Sequence, residues 1–290
     1  MAYISYTDVP LYFGTSANTN SQPTESDGSN KSVIAQQVQL NYTPNIAPVR
    51  VVGKEPTKNN FNLAGPPNAS LSFNCYVDGS EFNPSDYTGD VGDLGTTFRL
   101  GDSVNGISGS GVFLTSFSYT VVPYAPVLVQ CDFAIYNPLT TTNVGGKIAD
   151  AANDNVLDAA DFGKYAHGAY SQFSGDGQAA TTTLNDMETF ESIQYQFSAQ
   201  RLPVYQVGSY VLQKCEFITA EQSLAIQGDN IQRLVSISGS NPGALTITLK
   251  GTGNADLLTS TVDGRLNAEN VSIQGGDLAR GSITITELLK

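Results

Sequence analysis

Apolar and polar residues alternate along much of the 290-residue chain, in short runs separated by Gly, Pro, Asn and Asp. ASLSFNCYV (69–77), GVFLTSFSYTVV (111–122), VLVQCDFAIY (127–136), ALTITLKG (244–251) and GSITITELL (281–289) keep an apolar residue at about every second position. A period of two turns one side of a β-strand to a core and the other to water, so each run predicts a strand. TTFRLGD, YVLQKCEFITA, QSLAIQG and NVSIQG are read the same way, with turns between them. No apolar run approaches the roughly 18 residues of a membrane span.

The pattern also repeats. VQLNYTPNIAPVRVVG (38–53) lies without a gap on IQYQFSAQRLPVYQVG (193–208), at an offset of 193 − 38 = 155. Gln39/Gln194, Pro48/Pro203, Val49/Val204, Val52/Val207 and Gly53/Gly208 are identical, and Val38, Leu40 and Tyr42 are matched by Ile193, Tyr195 and Phe197. Each copy reads as a strand, a polar turn and a short strand entered through Pro, which predicts a hairpin twice. Three or four further strands follow each copy, enough for an independent sheet. The expected organisation is an N-terminal arm or loop (1–31), a first β domain (32–139), an Asp- and Ala-rich insert (140–186) and a second β domain (187–290). In the insert, DAADFGKYAHGAYSQF is the best helix candidate, opening at Asp158 or Asp161 as N-cap.

Composition narrows the class. Lys and Arg number 14 against 27 Asp and Glu, a net charge of −13, and only 14% of residues are charged. An acidic surface is repelled by phosphate, which argues against a protein that grips nucleic acid through basic contacts. Cys75, Cys131 and Cys215 are far apart, each inside a strand-like run and none at metal-ligand spacing. They read as buried free thiols, so no zinc site is expected. The first residues carry no basic start followed by an apolar stretch, so the expectation is a soluble product made in a reducing cytoplasm.

Candidate chemistry is sparse. DAANDNVLDAAD (150–161) places acids at loop positions 1, 5, 9 and 12, with Val156 at position 7, where a calcium loop offers a carbonyl. Asp150, Asp154, Val156, Asp158 and Asp161 are therefore the candidate Ca²⁺ ligands, in a spacing that resembles the loops of dockerin modules. Ala152 supplies no ligand at position 3 and Asn155 replaces Gly at position 6; helix capping and solubility account for the same acids without a metal. GISGSG (106–111) lacks the Lys-Ser/Thr of a phosphate loop and reads as a turn before a strand. The acids of DGSEFNPSDYTGDVGD (78–93) read as a solvated loop. His167 is the sole histidine, and one His with scattered Asp does not assemble a nucleophile, base and stabiliser, so an enzyme is not expected.

The repeated unit, followed by strands of the type ASLSFNCYV and GVFLTSFSYTVV, resembles the tail tube proteins of bacteriophages and their relatives in contractile injection systems. The resemblance covers both β halves and omits the insert. It implies a mainly β fold of two tandem, repeated, antiparallel β-sandwich or barrel domains with a small partly helical insert between them. It also implies stacked homotrimeric, pseudo-hexameric rings around a lumen, in a virion tail, with sheath, baseplate and neck proteins as neighbours. DNA would be passing cargo only, with no membrane and no cofactor beyond the Ca²⁺ raised above. Other readings are a different virion structural protein of baseplate, neck or decoration type, and a calcium-dependent β-sandwich binding module. A conduit reading further expects an acidic or neutral lumen, with Arg50, Arg99, Lys250 and Arg280 at subunit contacts or on the outer wall.

Overall fold

The computed structural model describes residues 11–14, 30–33, 35–48, 61–63, 65–77, 82–89, 94–101, 106–142, 165–175, 182–183, 190–228, 244–272 and 280–289. In chain order the strands are β1 (Leu11–Gly14), β2 (Asn30–Val33), β3 (Ala35–Thr43), β4 (Ile46–Pro48), β5 (Phe61–Leu63), β6 (Asn68–Tyr76), β7 (Thr96–Leu100), β8 (Gly106–Val121) and β9 (Leu128–Ile135). They continue as β10 (Thr140–Thr142), β11 (Gln172–Gly175), β12 (Thr182–Thr183), β13 (Phe190–Tyr205), β14 (Leu212–Gly228), β15 (Leu245–Lys250), β16 (Asp256–Val262), β17 (Arg265–Ser272) and β18 (Arg280–Leu288). Pro84–Tyr87 forms a 3₁₀ turn capped by the Asn83 side chain. The mainly β expectation is met, and all strand pairs named below are antiparallel.

Twelve strands share one sheet. Its long stretch runs β3-β6-β9-β8 and then, without a break, β13-β14-β18-β17. The same four-strand order thus occurs twice: a long hairpin (β3/β6, β13/β14), then a second hairpin (β8/β9, β17/β18) whose later strand lies against the first. Irregularities recur at matching places. The pairing shifts between Ala35 and Gln37 in β3 and between Phe190 and Ser192, 155 positions later, in β13. It shifts between Leu114 and Ser116 in β8 and between Leu266 and Ala268, 152 positions later, in β17.

A four-stranded sheet, β12-β11-β15-β16, backs the second set, and its Leu245, Ile247, Leu249, Leu258 and Val262 share one buried cluster with Ile193, Leu224, Ile226, Ile283 and Ile285. Behind the first set, Phe13, Phe73, Phe82, Tyr87 and Phe133 pack ring to ring, with Phe13 and Phe133 at 4.7 Å between centroids. This sandwich-like burial of apolar faces is the main driving force of the fold. One polar network crosses the interior: Tyr195 Oη donates to Gln222 Oε1 at 2.8 Å, and Gln222 Nε2 donates to Thr261 O at 2.7 Å and Glu287 Oε2 at 2.6 Å.

Several local expectations are corrected. The repeated motif is no hairpin by itself; its second copy, and the described part of its first (38–48), belong to the outgoing arm of a longer one. β13 runs through Pro203 and turns only at 206–211, where Gly208 takes φ +85°. Pro203 is tolerated because it lies between two register shifts, Gln200/Arg201 and Val204/Tyr205. YVLQKCEFITA and QSLAIQG belong to a single 17-residue strand, β14. GISGSG opens β8 instead of preceding it: at Gly109 a Cβ would stand 2.5 Å from the Phe98 ring, and Gly111 sits at φ +66°. Within the acidic stretch 78–93, Phe82 and Tyr87 are core residues, not solvated ones.

The partly helical insert is also corrected where it is described. Residues 165–171 form a bridge and a turn, and 172–175 form β11. The backbone is committed elsewhere: Ala166 N donates to Val77 O, His167 N to Lys250 O and Gly168 N to Ala125 O, so these donors are unavailable to a helix. Residues 158–164 lie outside the described residues.

Candidate assembly surface

The strand registers line up side chains across the long sheet, and its two faces differ. On the core side run rows such as Phe73, Cys131, Phe117 and Phe197, all buried. On the other side, directly paired in succession, stand Gln37, Asn74, Gln130, Ser118, Gln196, Ser223 and Thr286. The adjacent row is Gln39, Ser72, Asp132, Ser116, Ser198 and Glu221. These side chains are exposed or half-buried, and neither row holds a Lys or Arg before Arg265, which pairs with Thr286 at the far edge. Short of that edge the two rows are therefore hydrogen-bonding and hold no cation, with two acids, Asp132 and Glu221, the first tied by Ser116 Oγ at 2.9 Å.

The sheet crosses between its two four-strand sets at β8 and β13, where Ser116–Val121 pairs with Ile193–Ser198. The seam is aromatic on its core side: Tyr119 and Tyr195 stack at 5.1 Å, and Phe117 and Phe197 lie 5.6 Å apart. The distal part of the β13/β14 hairpin then lies on the first set. Arg201 Nε donates to Leu114 O at 3.3 Å and its Nη2 to Gly89 O at 2.8 Å, while the guanidinium covers the Phe113 and Phe217 rings at 5.2 and 4.8 Å. Tyr205 Oη donates to Tyr136 O at 2.9 Å, and Leu212 N to Asn137 Oδ1 at 2.6 Å. Phe113, Leu212 and Cys215 form a small separate core there. The repeat in the sequence pointed to the hairpins but gave no sign of this latch, because Ile46 stands where the second copy has Arg201.

At the ends of the long stretch, β3 pairs only with β6 and β17 only with β18 among the described residues, leaving two unpaired strand edges. Such edges are templates for another strand.

The candidate calcium ligands Asp150, Asp154, Val156, Asp158 and Asp161 lie outside the described residues, as does Arg50. Among the described residues no group of three or more His, Cys, Asp or Glu side chains could hold a metal ion. Cys75, Cys131 and Cys215 are buried thiols outside any disulfide, as expected. His167 accepts a hydrogen bond from Ala169 N at its Nδ1 (3.1 Å), a turn-stabilising contact. Lys250 pairs with Asp256 at 3.1 Å on the backing sheet, and Arg280 with Glu191 at 3.1 Å. Arg99 departs from expectation: it is 2% exposed, inside the fold instead of on a wall or contact. No helix among the described residues is long and apolar enough to cross a membrane. The chain matches no family model, and no curated protein matches it.

Proposed function

We propose that the protein is a structural subunit of a bacteriophage tail tube, in which rings of three chains stack around a lumen for genome passage. Each chain contributes two tandem tube-like β domains, so a ring has six similar positions. The observation that carries this reading is the recurrence of one four-strand order, with matching register shifts, in a sheet unbroken between the sets. A subunit built as two head-to-tail copies is already a segment of a ring. The two central rows of that sheet's polar face, which hold no Lys or Arg before Arg265 at the far edge, support the conduit part. A wall without Lys or Arg does not hold phosphate, so a polyanion slides past it.

Negative-stain microscopy of the purified protein, with native mass spectrometry, tests the reading. Hollow rings or tubes built on multiples of three chains are expected. Monomers only, or rings of six whole chains, would count against it.

A further inference from the structure

The junction inside the chain is a template for a junction between chains. We propose that the free edge of β3 in one copy pairs antiparallel with the free edge of β17 in the next, in the register that β13 adopts on β8. The pairing names the two edges behind the ring reading and rests on that reading only for closure.

The first argument is burial at matching positions. Ile193, Tyr195 and Phe197 of β13 are 0%, 3% and 1% exposed, because β8 lies beside them. Their counterparts 155 positions earlier are Val38 and Leu40, only half-buried, and Tyr42, 43% exposed. The same side chains that are core in the second set wait at a strand edge in the first. Ile46, farther along the same arm, is 51% exposed.

The receiving side shows the complementary deficit. Tyr136 and Asn137, at the end of β9, hold the second hairpin through Tyr205 and Leu212. Their counterparts 152 positions later are Leu288, 73% exposed, and Leu289, 45% exposed. An apolar hairpin arm without a support and an apolar support without an arm are both present on one chain. A second copy brings them together in a head-to-tail contact, which main-chain hydrogen bonds of the two edges complete.

The internal junction also sets the register. Within the chain Tyr195 faces Tyr119, Gln196 faces Ser118 and Ser198 faces Ser116. Carried over by the two offsets, Leu40 comes opposite Val271, Asn41 opposite Asn270 and Thr43 opposite Ala268.

Paired cysteines read this directly. Asn41→Cys with Asn270→Cys is the contact pair, Ser118→Cys with Gln196→Cys is its counterpart inside one chain, and Asn41→Cys with Ser272→Cys is a register slip. Directly opposed Cβ atoms lie about 4.5–5.5 Å apart and diagonal ones about 7–8 Å, so the slipped pair should link far more slowly. On mild oxidation of the full chain, the contact pair is expected to give chain multiples on non-reducing gels. The internal pair should lose its thiols at monomer mass. Leu288→Asp should abolish the multiples while leaving the internal pair reactive, which separates lost contact from lost fold. A contact pair that stays monomeric while the internal pair links, or a slipped pair that links faster, would overturn the proposal. Linked multiples without hollow particles sink the tube and leave the edge pairing; hollow particles without this link do the reverse.

Discussion

Arg201 does work that its neighbours cannot share, since its planar cation serves three carbonyls, of Leu114, Tyr87 and Gly89, and two aromatic faces at once. Arg201→Ala should cost about 2–3 kcal/mol, combining charge-assisted hydrogen bonds and ring contacts, and Arg201→Lys should recover less than half because an ammonium lacks the fork. Urea unfolding of both variants measures this. The tyrosines set an alkaline limit. Burial first, then Tyr136 and Cys215, push the Tyr205 hydroxyl from 10.0 up to about 12. Burial drives Tyr87, Tyr119 and Tyr195 higher still. A phenol that holds its proton more tightly when folded contributes stability that is full below pH 10 and lost as pH rises toward 12 and beyond. The urea midpoint should therefore fall across that range, and tyrosinate absorbance from the buried rings should appear together with loss of the β-sheet circular dichroism signal. A large tyrosinate signal in a protein that is still folded would contradict it.

At the scale of elements, strands with strict alternation were legible, and the rest failed for identifiable reasons. β6, β9, β15 and β18 fall within a residue or two of their expected limits. β16 went unseen because Leu257 and Leu258 are both buried, next to the register shift at Leu249/Lys250, and two adjacent core residues break a period of two. The stretch before Pro203 reads as a polar turn leading to a second, short strand, since nothing local reveals that bulges carry Pro203 inside one continuous strand. The insert looked helical from its Ala and Asp, yet Ala166, His167 and Gly168 are claimed by backbone partners far away in sequence. This stitch makes a prediction. A Cβ at Gly168 would meet Val122 O at 1.9 Å, so Gly168→Ala must push two backbones apart. The expected loss is about 1–3 kcal/mol, the usual range for forced overpacking, read as a lowered thermal midpoint. Gly253→Ala, with nothing within 4 Å of its Cβ, is the control that should leave the midpoint nearly unchanged.

For the whole molecule, the net charge of −13 invites a picture of a repulsive wall, but the central rows of the polar face carry little of it. Between Gln37 and Thr286 one row holds only amides and hydroxyls, and its neighbour adds Asp132 and Glu221. Passage past such a face depends on the absence of cations more than on repulsion, and that difference can be measured. Gln130→Lys, Gln196→Lys and Ser223→Lys together place three cations in one exposed to half-buried row. Each substitution leaves the buried face untouched, so stability should hold within about 0.5 kcal/mol, the usual range for surface changes. The triple variant should bind DNA at low salt, with the logarithm of affinity falling against that of salt by about 0.9 for each phosphate neutralised. The unsubstituted protein should show no such binding at any salt. DNA binding by the unsubstituted protein at physiological salt, traced to this face by loss on Gln196→Glu, would remove the conduit from the proposal while leaving edge-to-edge assembly in place.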